Sequence, residues 1–180
     1  MIYSIFNYNF FAQFQAVNKK ELTEELNKEV VLGVNDYAWS AKCDVSTKRL
    51  DTNKYTELLQ PSINKFADTF QRKLNFAIDE AWLNSYEKGS YQEIHDHVPS
   101  DISCVFFLNH GTNFSEFYFR DRYSSDISFR LRQTLGFTDL WTPQISAGDI
   151  LFFPSNVLHG VSKHKSDTLR KTFACDIIIQ

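Results

Sequence analysis

The chain has 180 residues, enough for one domain with a sizeable core. Its net charge of −3 leaves no basic footprint, which argues against nucleic acid as a partner. Seventeen phenylalanines, eight tyrosines and three tryptophans suit strands and the wide interior of a barrel or sandwich more than a helical bundle.

In chain order, residues 1–14 alternate aromatic and polar side chains, which predicts a first strand on a sheet edge. Residues 18–30 are charged and rich in helix formers, the pattern of a short surface helix. Residues 37–50 fit strand or loop equally. Pro61 suits a helix first turn, and Ile63, Phe66, Phe70 and Leu74 recur at spacings of three and four, predicting an amphipathic helix over roughly 62–76. From residue 77 the texture changes to strands and turns. FAIDEAWLNSY sets Trp82, Asn84 and Tyr86 on one face, and YQEIHDH, SCVFFLN, NFSEFYFRDR, QISAGDILFFPS and RKTFACDIIIQ follow. The polar piece 121–142 has no clear period and reads as a loop over an opening. The fold class expected is α+β, a β-sandwich or jelly-roll core with N-terminal helices packed on its outside.

Two stretches carry the chemistry. His95 and His97 stand at i and i+2, so on an extended strand both imidazoles share a face while Asp96 points away. His159 follows an apolar strand and a Pro-Ser-Asn turn. Imidazole is a common ligand for mid-series metals, and these three histidines together predict a facial triad. His110 and His164 sit in polar turns and read as solvated. Cys43, Cys104 and Cys175 are odd in number, widely spaced and without a CxxC, which favours a reducing compartment. Cys104 and Cys175, within apolar strands, read as small buried hydrophobes. No apolar run is long enough for a membrane span, and the N-terminus does not read as a secretory leader, so a cytoplasmic protein is expected.

His-x-His, a long gap, Gly148-x4-Phe153-Pro154-Ser155, then His159 and Arg170 form an ordered set. It resembles the 2-oxoglutarate- and Fe(II)-dependent dioxygenases, which are built on a double-stranded β-helix, and within them a small bacterial and phage branch related to prolyl hydroxylases. The resemblance covers about residues 80–180, with residues 1–79 as helical support in one oxygenase domain, 1–180. It implies His95, His97 and His159 as metal ligands and Arg170 as the anchor of the cosubstrate's far carboxylate. It further implies Thr172 and Tyr86 as helpers of that anchor, and Asn84 and Phe107 as lining of the same cavity. The cofactors implied are Fe(II) and 2-oxoglutarate, with ascorbate as an aid in vitro. The primary substrate it implies is a protein side chain or a small metabolite, to be hydroxylated as 2-oxoglutarate becomes succinate and CO2. One position departs from the common pattern: His97 stands where the family usually has Asp or Glu, with Asp101 a poorly placed substitute. A cupin-like metalloprotein is the alternative, on the spacings Gly89-x5-His95 and Gly148-x5-Pro154; it would have no need of Arg170. A jelly-roll interaction module without catalysis is a third reading.

Overall fold

The computed structural model describes residues 9–36, 43–70, 75–123 and 127–180. Two antiparallel sheets face each other. The larger contains β1 (Ala12–Gln15), β3 (Ser46–Arg49), β4 (Phe76–Tyr86), β6 (Ile102–Phe107), β9 (Asp149–Pro154) and β11 (Arg170–Ile179), in the order β1-β9-β6-β11-β4-β3. The smaller contains β2 (Cys43–Asp44), β5 (Tyr91–His95), β7 (Phe117–Arg120), β8 (Leu140–Trp141) and β10 (Leu158–Val161), in the order β2-β5-β10-β7-β8. This is the expected α+β jelly roll.

The larger sheet is buried on both faces, which is why its strands read as continuous apolar runs. Alternate residues divide between two cores. Leu83, Cys104, Phe106, Ile150, Phe152, Phe173, Cys175 and Ile177 face the helices. Trp82, Tyr86, Val105, Phe107, Leu151, Phe153 and Ala174 face the smaller sheet, where they meet Phe117, Phe119 and Val161. Cys104 and Cys175 stand opposite each other on β6 and β11 as fully buried thiols, as their apolar surroundings predicted.

The helical layer consists of α1 (Lys19–Leu26), which buries Leu22 and Leu26, and α2 (Thr52–Ala67). The second differs from expectation: it begins ten residues earlier than 62, capped by the Asp51 carboxylate, which accepts from the Asn53 backbone N–H at 2.9 Å. Pro61 lies inside it rather than at its first turn. Tyr55, Leu59, Ile63 and Phe66 form the buried stripe, and Phe66 stacks on Phe152 at 4.6 Å, so packing outweighs the proline. Phe70 joins this core beyond the helix end, and Leu74 lies outside the described residues.

Of the stretch 1–14, residues 1–8 are outside the described residues, and Ala12–Gln15 supplies an edge strand as expected. Residues 43–50 supply β2 and β3, so the N-terminal part adds strands to both sheets as well as helices; residues 37–42 are not described. The piece 121–142 is not a plain loop: it holds the short helix α3 (Phe129–Leu135) and β8, and 124–126 are not described. Among the described residues no helix is long and apolar enough to cross a membrane.

Candidate active site

His95 ends β5, and its register partner across the sheet is His159 on β10. The chain leaves the strand after His95, so the predicted strand does not reach His97. That residue is held instead by its own N–H, which donates to the Ser155 carbonyl at 2.9 Å. The three rings still converge, with centroids 5.1 Å (His95–His97), 4.3 Å (His95–His159) and 5.0 Å (His97–His159) apart. One nitrogen from each lies within 4.8 Å of the others. Asp96 turns to the opposite side, where its carboxylate meets Arg122, whose Nη2 also donates to the Asn156 carbonyl at 3.2 Å. Gly160, next to His159, lies so close to Tyr118 and the Gln92 carbonyl that a Cβ would fall 2.7 Å from the Tyr118 hydroxyl.

Each ring uses Nδ1 on a hydrogen-bond acceptor. His95 Nδ1 lies 2.6 Å from the Glu93 carbonyl, and His159 Nδ1 lies 3.0 Å from the Val157 carbonyl. His97 Nδ1 lies 2.9 and 3.0 Å from the two carboxylate oxygens of Asp176. Acceptors there fix the proton on Nδ1, so Nε2 is the nitrogen each ring presents to a metal. Burial lowers His95 to about 4, against a smaller upward pull from the Glu93 carbonyl. Burial also drives His159 well below the ordinary imidazole range, helped by the two neighbouring rings. At neutral pH these two imidazoles are neutral, the form that binds metal.

The residues assigned to the cosubstrate come together behind the triad. Arg170 pairs with Tyr86 across β11 and β4, and Thr172 pairs with Asn84 on one side and Phe107 on the other. The Arg170 guanidinium is 3% exposed and lies 4.5 Å over the Tyr86 ring and 5.6 Å from the Phe107 ring. Its Nη1 is buried with no hydrogen-bond partner among the described residues. Burial pulls its pKa down, while the Tyr86 hydroxyl opposes that. Tyr86 itself is pushed up by burial, and its hydroxyl donates to Gln92 Oε1 at 2.6 Å. Asn84 Oδ1 accepts from Thr47 Oγ1 at 2.9 Å. A narrow recess of about 30 Å³ runs between the histidines and Arg170. A larger cavity of about 440 Å³ opens on the outer side of His95 and His97, lined by Thr47, Arg49, Trp82, Asn84 and Asp96 among others.

Of three further expectations, those for Asp101 and His110 hold and that for His164 changes. Asp101 is not near the triad: its Oδ2 accepts from the Ile179 N–H at 2.8 Å, continuing the β11 edge. His164 is buried, not solvated; its Nδ1 accepts from the Ser115 N–H at 3.1 Å and its Nε2 meets the Thr168 carbonyl at 2.8 Å. His110 is exposed as expected. Asp176 and Gln92 belong to the site but carry no motif of their own, since only the folded register brings them to His97 and Tyr86.

The donor set fits a first-row metal: three imidazole nitrogens on one side of a point, with the buried Arg170 guanidinium, its Nη1 without a partner among the described residues, beyond it. Residues 80–176, more than half of the chain, match the profile of the family described as "Putative 2OG-Fe(II) oxygenase". The chain belongs to this family of 2-oxoglutarate- and Fe(II)-dependent oxygenases. No curated protein matches it significantly in sequence. Similar solved structures include an oxidoreductase of the 2OG-Fe(II) oxygenase family from Burkholderia pseudomallei, 12% identical with a TM-score of 0.66 over 93% of this chain and 84% of that one. HygX from Streptomyces hygroscopicus, with nickel and 2-oxoglutarate bound, is 13% identical with a TM-score of 0.66 over 94% and 83%. A Pseudomonas putida prolyl-4-hydroxylase is 15% identical with a TM-score of 0.60 over 93% and 91%. At these identities the likeness speaks for the fold.

Proposed function

We propose that the chain works as one unit that hydroxylates a protein side chain or a small metabolite, with Fe(II) on His95, His97 and His159 and 2-oxoglutarate anchored by Arg170. Bound there, Fe(II) supplies the redox chemistry that couples decarboxylation of 2-oxoglutarate to oxidation of the substrate. The rest of the work is done by side chains. His95 and His159 stand neutral, with their Nδ1 protons held by backbone carbonyls, so their Nε2 lone pairs need no deprotonation at pH 7. Arg170 offers the planar fork that a carboxylate fills with two parallel bonds, and Thr172 and Tyr86 add hydroxyl donors beside it. The recess of about 30 Å³ is smaller than the diacid, so seating it requires side chains that line the recess, Tyr86 and Gln92 among them, to move. The primary substrate approaches through the 440 Å³ cavity, which borders His95 and His97 and keeps the oxidising centre off the bulk surface.

The observation that carries this reading is the buried Nη1 of Arg170, a charged donor with no partner among the described residues at the end of a recess that begins at three histidines. A buried charged donor left unpaired is expensive, so its retention points to a ligand that pairs it. The test is succinate formation from 2-oxoglutarate by the purified protein with Fe(II), ascorbate and air. Turnover that depends on iron and is lost in His159→Ala supports the reading. Its absence across a panel of peptide and small-molecule substrates, with iron shown to be bound, overturns it.

A further inference from the structure

Asp176 is 7% exposed on β11, on the face that also carries Arg170 and Thr172. Both its oxygens face His97 Nδ1, at 2.9 and 3.0 Å. Oδ1 also accepts from Ser103 Oγ at 3.0 Å, and Ser103 Oγ lies 2.9 Å from Ser155 Oγ. Ser155 returns to the start, since its carbonyl accepts from the His97 N–H. The ring Asp176–His97–Ser155–Ser103 is therefore closed, and all its side chains are buried or nearly so. Trp82 stacks on the His97 imidazole at 5.3 Å and 20°. Among the described residues His97 is the sole ionic partner within 4.0 Å of the Asp176 carboxylate.

This arrangement bears on the position where the sequence departs from the family's usual carboxylate. A carboxylate ligand offsets one charge of Fe(II); a neutral imidazole does not. Here a carboxylate stands one residue further from the metal point, hydrogen-bonded to the ligand that replaced it. We infer that Asp176 is a positioning residue that both orients His97 and returns to the metal centre, through the His97 ring, the negative charge the usual ligand would supply. The inference rests on the proposed role of the three histidines. A carboxylate accepting the Nδ1 proton raises the basicity of Nε2 and pulls electron density toward the metal, and carboxylates in this position strengthen metal binding by about 10–100-fold. The Nδ1 atoms of His95 and His159 use backbone carbonyls instead, so among the described residues His97 is the one of the three whose Nδ1 faces a carboxylate.

Two variants separate charge from geometry. Asp176→Asn keeps an acceptor for His97 and Ser103 while removing the charge, and Ser103→Ala removes the hydrogen bonds to Asp176 and Ser155 and leaves the charge. Iron affinity is measured by chelator competition, and the midpoint potential of bound iron by redox titration of the protein without substrate. In Asp176→Asn, Fe(II) affinity is expected to fall about 10–100-fold. Fe(III) affinity should fall at least tenfold further, since a lost negative charge penalises the higher oxidation state more; that raises the midpoint potential by about 59 mV or more. Ser103→Ala should leave the potential near the parent value. Equal potentials in Asp176→Asn and parent would overturn the inference, as would a shift in Ser103→Ala as large as in Asp176→Asn. His159→Ala runs alongside: if iron binding survives it, the histidine triad is wrong. If His159→Ala abolishes binding and Asp176→Asn changes nothing, the triad stands and only the role of Asp176 falls.

Discussion

Replacing Arg170 by Met should separate stability from function. In the ligand-free protein the guanidinium is 3% exposed, and its Nη1 has no partner among the described residues. A buried charged donor in that state costs about 1–3 kcal/mol. Its favourable contact, 4.5 Å over the Tyr86 ring, contributes about 0.5–2 kcal/mol. Met fills similar volume without the charge, so ligand-free Arg170→Met should be as stable as the parent or up to about 2 kcal/mol more stable. Binding should go the other way. A carboxylate entering the recess without its cation is a half-made buried pair, at about 3–5 kcal/mol. At about 1.4 kcal/mol per tenfold, affinity for 2-oxoglutarate falls between about a hundredfold and several thousandfold. The assay is thermal unfolding with Mn(II) as a redox-inert metal, with and without 2-oxoglutarate. At a concentration about 100 times the dissociation constant the parent gains about 2.7 kcal/mol. For a chain of this size that is roughly 5–10 °C in Tm. Arg170→Met should show none of that gain at the same concentration. A variant that keeps the ligand-induced shift would refute the anchor, and one much less stable without ligand would refute the claim that Arg170 is held for binding at the expense of the fold.

Iron retained after desalting should fall in His97→Ala by more than the roughly 10–100-fold expected from losing a supporting hydrogen bond, because a ligand itself is removed; unchanged iron by atomic emission would make His97 a bystander. His97→Asp restores the family's usual ligand but sets a second carboxylate toward Asp176, so it should bind iron less well than the double variant His97→Asp with Asp176→Asn, and the reverse order would count against the charge argument. Tyr55 is pushed up to about 12, first by burial and then by Glu29. Unfolded tyrosine ionises near 10, so from pH 10 to 12 the unfolded state loses a proton the folded state keeps, and stability should fall by up to about 2–3 kcal/mol as pH rises through that window. Tyr55→Phe should flatten this alkaline loss in urea titrations; an identical slope would exclude Tyr55 as its source. Pro61, inside α2, cannot donate to the turn before it. Pro61→Ala should stabilise by about 1–2 kcal/mol, the helix gain less the lost restriction of the unfolded chain, and a lower urea midpoint would contradict that.

What could be read from the sequence was whatever depends on neighbours in the chain. Runs such as SCVFFLN and DILFFP read as strands because both faces of the larger sheet are covered, and the order His-x-His, Phe-Pro-Ser-x3-His, Arg marks the site residues as a set. Where local pattern misleads, packing is the cause. Pro61 looks like a helix start because proline fits a first turn, yet Tyr55 and Leu59 already belong to the buried stripe and their contacts with the sheet extend the helix through it. His164 looks solvated among Ser, Lys and Asp, but Ser115 and Thr168 fold over it from both sides. α3 leaves no mark in the sequence because its residues bury nothing, so no apolar stripe distinguishes it. Asp176 could not be found at all: its partner is 79 residues away, and an Asp in an apolar terminal strand looks like an edge charge until the register sets it beside Ser103 and His97.

The register of β11 explains why the proposed anchor and the proposed metal support occur together. Strand side chains alternate, so Arg170, Thr172, Ala174 and Asp176 share the face toward the smaller sheet while Phe173, Cys175 and Ile177 face the helices. Phe173, Cys175 and Ile177 are all fully buried, so a slip by one residue would expose that apolar set to the cavity and drive a guanidinium and a carboxylate into the helix-facing core. The packing energy of three large or apolar side chains thus holds three polar ones in place. Local relief exists only at the far end, where the pairing with β4 shifts between Asp176 and Ile177. The extra residue there is Asp79 on β4, while β11 keeps its register with β6 through Asp176 and Ile177, so the alternation that turns the carboxylate toward His97 is unbroken. The apolar face of one strand therefore sets both ends of the site.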